Sequence, residues 1–415
     1  MADGWEAGGG CPRIDSFWRR LLRAFLLLHW KSRLKSDSIA ATLARVSTEI
    51  RQVDFAVNEN LKGEQEMKEQ VERWRPGKQV VMVGVGLLIV FALFSPMRPA
   101  NGEETGKCAD IKMEKVSYGG WPNCIKLSNG EIELIATTDV GTRIMRFGYV
   151  GGQNLFKEYK DQLGKTGGKE WRIYGGHRIW HGPEDIERTF YPDNSPIDYK
   201  WDGKTLKLIQ PVEAITGIVK EIEVTLDPKA NKVKVLHRLT NNNQWDIKAA
   251  PWALTVMAQR GRLILPQEPY RPHPDYLLAA RPVVLWHYTN MSDPRWTWGK
   301  KYIQLQQDPN RKVKQKIGLL NKQGWGAYYL DGELFVKRYP YDSAGTYPDY
   351  ECNTATFTDG DMLEFETLGP LTKIPAKGGK VEHVEMWYLF KAEVGEEESE
   401  IDAKVLPLVE KTCAL

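Results

Sequence analysis

The longest stretch of the sequence, which begins near residue 107, is a succession of short β-rich runs separated by turn signals, and it constrains the fold most. Asn129–Gly130 and Asp331–Gly332 are dipeptides that favour tight hairpin turns between two strands. A third turn falls at Asp227–Asn231, and Val219–Leu226 before it alternates apolar and polar residues, as a half-buried strand does. With a helical pattern only near 396–406, these runs predict an all-β fold, a large antiparallel sandwich.

Residue patterns divide the chain into five segments. The predicted segments are 1–78, a cytoplasmic helical segment; 79–96, a transmembrane anchor or signal-peptide core; 97–112, a linker; 113–393, the β domain; and 394–415, a C-terminal helix and tail. The β domain has ample length to bury a core of its own.

The apolar segment Val80–Phe94 contains 15 residues and no charge. It is long for a signal-peptide core and short for a membrane span of about 20 residues. Because Arg73, Arg75 and Lys78 precede it, the positive-inside rule places the N-terminus in the cytoplasm and the β domain outside. The segment therefore predicts a single-pass membrane protein with an extracytoplasmic β domain.

Retention of this anchor depends on the cleavage site and on the start codon. A signal peptidase prefers small residues at positions −3 and −1. With Ala100 at −1, Arg98 stands at −3 and disfavours cleavage, so a retained anchor is expected. Translation from Met67 would instead make the segment an ordinary signal peptide and the mature protein a secreted, soluble one.

The first 78 residues carry two helical patterns. Phe17–Lys35 places basic residues around a Leu/Phe/Trp stripe, which suits either a helix on an anionic membrane surface or a helix packed on a partner. The next apolar residues are spaced three and four apart, as in a coiled-coil seam, and comprise Leu43, Val46, Ile50, Val53 and Val57. This weak coiled coil predicts a homodimer.

Composition excludes one class of partner and favours another. The 57 basic and 54 acidic residues leave a net charge of only +3, so no global basic field supports nucleic-acid binding. The 15 Trp and 17 Tyr residues fit carbohydrate binding, because aromatic faces stack on sugar rings. Core packing is the commoner role for any single Trp.

The cysteines follow the predicted topology. Cys108, Cys124, Cys352 and Cys413 all come after the apolar segment, and this even number fits an oxidising compartment. Cys108 and Cys413 bracket the β domain, so one disulfide would tie its ends together. Three connectivities, and buried free thiols, remain open.

The densest cluster of polar residues is Tyr174–Asp185, with the sequence YGGHRIWHGPED. Its first two glycines, Gly175 and Gly176, allow a sharp turn or a close approach to a ligand. Loops with this many hydrogen-bonding groups are usually functional, and His177 or His181 would supply proton transfer near neutral pH. The alternative is that these residues tie a long loop to the sandwich.

The same segment has the spacing of a metal site, since His177, His181 and Glu184 would share one face of a helix. The glycines and Pro183 argue against a helix at this position. No metal ion and no other cofactor are therefore expected.

A second candidate segment is Met362–Pro370, with the sequence MLEFETLGP. Glu364 and Glu366 stand two residues apart, so they share one face of a strand. If Leu363 and Phe365 face the core, both carboxylates face an open sheet surface, where one can act as a general base toward a sugar hydroxyl. A solvated polar face is the commoner outcome.

Four motifs in this order resemble the galactose-mutarotase-like superfamily of β-supersandwich proteins, which includes the aldose 1-epimerases, and most of all an uncharacterised bacterial branch. The motifs are DVGTRIMRFGYVGGQNLF, GGHRIWHGPED, LTNNNQWDIKAAPWAL and LEFETLGPLTKIPAKGGKVEHVEMW. They cover residues from about 115 to 392. The resemblance implies an all-β supersandwich and a sugar ligand. In a bacterium, the predicted anchor would place this domain on the periplasmic side of the membrane.

The resemblance also implies site residues. Glu366 resembles the family's general base, and His177 resembles a sugar-contacting histidine. The general acid is expected on the strand after the Asn-rich turn, where this sequence has Trp252 and no histidine nearby. Either His181 or another group replaces the acid, or the fold has become a binding module.

We therefore expect a carbohydrate-binding β domain, with epimerase-like proton transfer by Glu366 and His177 or His181 if activity survives. The predicted ligand contacts are Arg143, Asn154, His177, Arg178, Trp180, His181, Trp252 and Glu366. The rival interpretations are an active aldose 1-epimerase, a polysaccharide lyase that uses Tyr347 and Tyr350, and an envelope scaffold without a sugar ligand.

Overall fold

The computed structural model describes residues 111–413 and 415, and these residues form two antiparallel β-sheets with a few short helices. The predicted helical segment, anchor and most of the linker lie outside the described residues. None of the helices within 111–413 has the length and apolarity of a membrane span. The prediction of an all-β antiparallel sandwich is confirmed for the described part of the chain.

The eleven-stranded sheet pairs its strands in the order β1-β2-β3-β4-β5-β10-β19-β18-β15-β12, and β20 also pairs with β10. The bounds are β1 Lys112–Tyr118, β2 Trp121–Ser128, β3 Ile132–Thr137, β4 Arg143–Tyr149, β5 Gly176–Gly182, β10 Ile247–Met257, β12 Val283–Leu285, β15 Gln315–Leu319, β18 Thr354–Thr358, β19 Leu363–Leu368 and β20 Thr372–Ile374.

The ten-stranded sheet has the order β13-β14-β11-β16-β17-β21-β9-β8-β7-β6. The bounds are β6 Asp198–Trp201, β7 Thr205–Ile209, β8 Ile218–Leu226, β9 Lys232–Asn241, β11 Arg262–Pro266, β13 Trp296–Trp298, β14 Tyr302–Gln306, β16 Trp325–Leu330, β17 Glu333–Arg338 and β21 Gly379–Lys391.

The hairpins predicted from turn dipeptides are present. Asn129–Gly130 connects β2 to β3, and Asp331–Gly332 connects β16 to β17. Val219–Leu226 lies in β8, which pairs with β9 across the turn at Asp227–Asn231. In each case a residue type that tolerates a tight turn separates two runs of strand-forming residues.

The helices are short and peripheral. Asp185 caps α1 (Ile186–Thr189) by accepting hydrogen bonds from two backbone N–H groups of that helix. The predicted C-terminal helix is present as α2 (Glu398–Lys404), and α3 (Leu406–Glu410) follows it. Both pack apolar side chains on the outer surface of the ten-stranded sheet.

The main core lies between the two sheets. Apolar residues of both sheets form one buried cluster, which includes Leu134, Ile179, Val235, Phe365 and Trp387. Because strand residues alternate between faces, the neighbours of these core residues point to the opposite side of their sheet. We call the side of the eleven-stranded sheet that faces away from this core the outer face.

The described cysteines are not joined to one another. Cys124 and Cys352 are buried free thiols, and Cys413 is exposed. Cys108 lies outside the described residues, so the predicted link between Cys108 and Cys413 stays a prediction.

Candidate functional site

The outer face brings together three adjacent strands that carry predicted site residues. In the strand register, Arg178 on β5 lies opposite Leu254 on β10, which lies opposite Glu366 on β19. Trp180 and Trp252 form the neighbouring register pair. Four predicted residues, Arg178, Trp180, Trp252 and Glu366, thus share one surface.

Alternation explains why β19 contributes two carboxylates to this face. Leu363 and Phe365 lie in the core, so Glu364 and Glu366 point outward, as expected. The expectation of an open surface is wrong, because Glu364 is 9% exposed and Glu366 is fully buried. Aromatic side chains of flanking loops, including Trp171 and Phe190, pack over this sheet face.

Glu366 is held by two partners on one of its carboxylate oxygens. The Trp252 indole N–H donates to Glu366 Oε2 at 2.9 Å, and the Lys316 ammonium lies 3.7 Å from the same oxygen. Glu366 Oε1 is buried and has no hydrogen-bond partner among the described residues. Burial raises the pKa of Glu366, while Lys316 opposes that rise.

Glu364 is the second member of what we call the carboxyl pair, Glu364 and Glu366. Burial and the neighbouring Glu366 carboxylate raise the pKa of Glu364 to about 7. The nearest guanidinium, that of Arg178, lies 4.0 Å away and only partly opposes this rise. Near neutral pH, the carboxyl pair therefore retains a proton that can be donated.

Two buried cations lie between aromatic rings on this face. Lys316 Nζ is 5.1 Å from the Trp252 ring centre and 4.8 Å from that of Trp286. The Arg178 guanidinium is 4.2 Å from the Trp180 ring centre and 5.0 Å from that of Trp171. Such cation–π contacts stabilise charge where water is excluded.

The pKa values of these two cations move in opposite directions. Burial lowers the pKa of Arg178 to about 10, and the nearby Arg143 adds to the effect. Burial also acts to lower the pKa of Lys316, but the carboxylates of Glu366 and Glu184 raise it above its ordinary value. Lys316 is thus a firmly protonated donor beside Glu366.

Arg143 and Asn154, which were predicted to contact the ligand, form hydrogen bonds within the protein. Arg143 is fully buried and donates to both carboxylate oxygens of Asp193, at 2.9 and 2.8 Å. The Asn154 side-chain oxygen accepts from the backbone N–H groups of Phe147 and Phe156. Their predicted contact with a ligand stays a prediction.

The Tyr174–Asp185 segment is mostly a strand rather than a loop. Gly175 precedes β5 and Gly176 begins it, with φ values of +97° and +71°. A Cβ at Gly175 would lie 2.0 Å from the carbonyl oxygen of Lys157. The glycines thus allow a close approach of the protein's own backbone.

His177 lies on the core face of β5, so it does not share a pocket with Glu366. It is fully buried and belongs to what we call the histidine cluster, His177, His237 and His383. Its Nε2 lies 2.6 Å from His237 Nε2, and its Nδ1 lies 2.8 Å from Thr255 Oγ1. Burial lowers the pKa of all three imidazoles, so they are neutral near pH 7.

Three side chains beside the histidine cluster lie close enough together to be considered as metal ligands. The donor atoms of His177, His237 and Glu385 lie within 4.8 Å of one another. Tetrahedral zinc, with Zn–N bonds of about 2.0–2.1 Å, would hold two ligand nitrogens roughly 3.3 Å apart. The separation of 2.6 Å fits a direct hydrogen bond, and Lys337 Nζ already pairs with Glu385 at 2.9 Å. The geometry favours a hydrogen-bond network here.

His181 lies near the end of β5, also away from Glu366. It is 3% exposed, and its Nε2 lies 3.8 Å from Glu213 Oε2. The expected arrangement of Glu366 opposite His177 or His181 across one pocket is not found, because both histidines point to the other side of the sheet.

A surface pocket of about 390 Å³ lies beside Trp286, whose ring contacts Lys316. It is lined by Val284, Leu285, Trp286, His287, Asp349 and Tyr350. Trp286 contacts Lys316, and burial raises the pKa of the half-buried Asp349 while Lys316 opposes that rise. Trp286 and Asp349 thus connect the pocket lining to Lys316, which lies 3.7 Å from Glu366.

One wall of this surface pocket is a strained turn. Pro348–Glu351 forms a single turn in which Asp349, Tyr350 and Glu351 have φ values of +51°, +59° and +72°. Each such residue costs about 1–2 kcal/mol, and strain of this kind concentrates at functional sites. Tyr350 is 87% exposed and lines the pocket, whereas Tyr347 is buried and does not.

Sequence reasoning missed Lys316 and Trp286. Lys316 interrupts the run Gln315–Leu319, which forms a buried strand, and a lysine within such a run was the available signal. Trp286 follows a three-residue edge strand, and the sequence around it carries no comparable signal.

No protein-family model matches the chain, and no curated protein matches it. Several solved structures do match the chain. A candidate aldose 1-epimerase from Klebsiella pneumoniae is 10% identical with a TM-score of 0.46, over 72% of this chain and 87% of that one. A galactose mutarotase-like protein from Lactobacillus casei is 9% identical with a TM-score of 0.41, over 65% and 100%.

A third solved structure is a TPR-domain containing protein from Parabacteroides distasonis. It is 13% identical with a TM-score of 0.45, over 66% of this chain, and this chain spans 48% of its length. All three TM-scores are below 0.5.

Proposed function

We propose that the β domain binds a carbohydrate at the outer face, with Glu366 as an acceptor at the floor of the site. The observation that carries this proposal is a buried carboxylate oxygen, Glu366 Oε1, without a partner among the described residues. An unsatisfied buried acceptor costs about 1–3 kcal/mol. A sugar hydroxyl that donates to Oε1 would remove this cost.

The surroundings of Glu366 suit a sugar in two further ways. Lys316 supplies a charged donor 3.7 Å from Glu366, so donor and acceptor lie together as vicinal hydroxyls require. The rings of Trp286 and Tyr350 line the pocket above and offer apolar faces for a pyranose ring. The pocket volume of about 390 Å³ falls within the range of about 300–1,000 Å³ typical of small-molecule sites.

Replacing Glu366 by glutamine is expected to weaken sugar binding by about 10- to 100-fold, because a hydrogen bond to a charged acceptor contributes about 1.5–3 kcal/mol. A glycan array with the full-length protein would identify a ligand, and calorimetry would compare the wild type with Glu366→Gln. Glu410→Gln, at an exposed position, is the matched control. Equal affinity of the wild type and Glu366→Gln for every bound glycan would refute the proposal.

A second candidate function is proton transfer on a sugar, and the carboxyl pair favours it. Glu366 would act as the base, and protonated Glu364, whose pKa is about 7, would act as the acid on the same face. Polarimetry of freshly dissolved aldoses tests this function. Mutarotation faster than the spontaneous rate, lost in Glu364→Gln, would support it, and the spontaneous rate alone would leave binding as the function.

A further inference from the structure

A second pocket, which we call the rim pocket, opens where the two sheets meet beside the end of β5. It has a volume of about 220 Å³. Its lining comes from β5, α1, β8, β10 and their loops, and includes His181, Arg188, Ile215, Asn243, Trp245 and Lys248. This volume is below that of typical sites for drug-sized ligands, so the rim pocket suits a single small ring.

The inner wall of the rim pocket holds an unpaired polar group. His181 is 97% buried, and its Nε2 has no hydrogen-bond partner among the described residues. Glu213 lies behind it at 3.8 Å, but that carboxylate is already bound by Lys220 at 2.6 Å and by Thr216 at 2.7 Å. A buried imidazole in this state can bond a ligand hydroxyl.

Burial lowers the pKa of His181 to about 3, and the cations of Lys220 and Arg188 add to this effect. The imidazole is therefore neutral near pH 7. A neutral imidazole carries one donor and one acceptor nitrogen, which matches a hydroxyl group that can play either role.

The outer rim of this pocket is cationic and aromatic. Arg188 and Lys248 are exposed, and the lining contains no acidic side chain. Arg188 Nε also lies 3.4 Å from Asp185 Oδ1, and its two terminal nitrogens form no ion pair among the described residues. Trp245 is 65% exposed, and Ile215 is also 65% exposed. An exposed indole face next to two cations complements a ring that has an apolar face and a negative group.

We propose that the rim pocket binds a single sugar ring that carries a carboxylate, of the hexuronic-acid type. Trp245 stacks on the ring, Arg188 and Lys248 bind the carboxylate, and His181 and Asn243 bond the hydroxyls. Asn243 donates through its amide nitrogen to Thr216 and Asn241, which leaves its carbonyl oxygen for a ligand. This site is separate from the outer-face site, because the two sites share no residue.

The test titrates the full-length protein with D-glucuronate and with D-glucose, followed by tryptophan fluorescence and calorimetry. We expect saturable glucuronate binding, at least about tenfold tighter than that of glucose. Trp245→Ala should weaken glucuronate binding about tenfold, and the double variant Arg188→Gln, Lys248→Gln should remove the preference for glucuronate. Tyr276→Ala, at an exposed aromatic residue elsewhere, is the matched control.

Three results would overturn this inference. They are an absence of saturable glucuronate binding by the wild type, equal affinity for glucose and glucuronate, and unchanged glucuronate affinity in Trp245→Ala. Glucuronate binding that is lost in Glu366→Gln but retained in Trp245→Ala would assign the ligand to the outer-face site and would equally overturn it. Because Trp245 is largely exposed, its replacement is not expected to disturb folding.

Discussion

Replacing Lys337 by alanine is expected to lower the free energy of unfolding by about 3–5 kcal/mol, because it would leave a buried carboxylate without its counterion. Lys337 and Glu385 are both fully buried, and Lys337 Nζ lies 2.9 Å from Glu385 Oε1. Lys337 also donates to the backbone oxygen of Phe365 at 3.1 Å. Urea denaturation followed by circular dichroism measures the loss.

The pKa shifts of Lys337 and Glu385 indicate that each residue keeps its charge because the other lies beside it. Burial acts to raise the pKa of Glu385, but Lys337 holds it well below its ordinary value. Burial lowers the pKa of Lys337, and Glu385 opposes that change. Neither charge would be tolerated alone at this depth in the core.

A double variant separates the ion pair from side-chain packing. Lys337→Met with Glu385→Gln removes both charges and keeps groups that can bond Trp387 and Thr367, which contact Glu385 at 2.7 and 2.6 Å. We expect it to recover most of the stability lost in Lys337→Met alone. The exposed Lys229→Ala is the control. A loss in Lys337→Ala no larger than in this control would contradict the prediction.

The contribution of Glu364 to the stability of the folded protein is expected to fall as pH rises from about 4.5 to about 7. It opposes the contribution of the buried histidines, whose lowered pKa values favour folding at higher pH. The pKa of Glu364 is raised from 4.5 to about 7 in the folded state. Between these values the folded protein holds a proton that the unfolded chain has released, so folding is favoured by acid. The contribution is fully present below about 4.5, is lost through about 7, and is on the order of 3 kcal/mol.

Glu364→Gln should remove this contribution, because glutamine does not titrate, so its stability relative to the wild type should increase as pH rises from about 4.5 to about 7. Unfolding free energies at intervals from pH 4.5 to 8 would be compared for the wild type, Glu364→Gln and Glu410→Gln, whose glutamate is exposed. The control should retain the wild-type slope. An unchanged slope in Glu364→Gln would show that other groups cause the dependence.

Much of the architecture could be predicted from local patterns. The dipeptides at Asn129–Gly130 and Asp331–Gly332 specify tight turns, and they lie where two hairpins turn. The alternation in Met362–Pro370 was enough to place Glu364 and Glu366 on one face of a strand, because side-chain direction has a period of two. These features depend on neighbours in sequence, so they can be read without the rest of the chain.

The partners of each side chain could not be predicted in this way. His177 and Arg178 are adjacent in sequence, but one lies in the core beside His237 and the other lies on the outer face beside Glu364. Lys316 comes 50 positions before Glu366, and only sheet pairing through β18 brings them together. The covering loops that bury Glu366 also come from distant parts of the chain.

The sequence by itself determined the β-rich character of residues 113–393, the hairpin turns and the strand face that carries the carboxyl pair. Tertiary structure alone decided that Glu366 is buried against Lys316 and Trp252, and that His177 and His181 point away from it. The physical reason is that turns and alternation are local properties of the chain. Burial, ion pairing and pKa depend instead on which strands pair and which loops cover them.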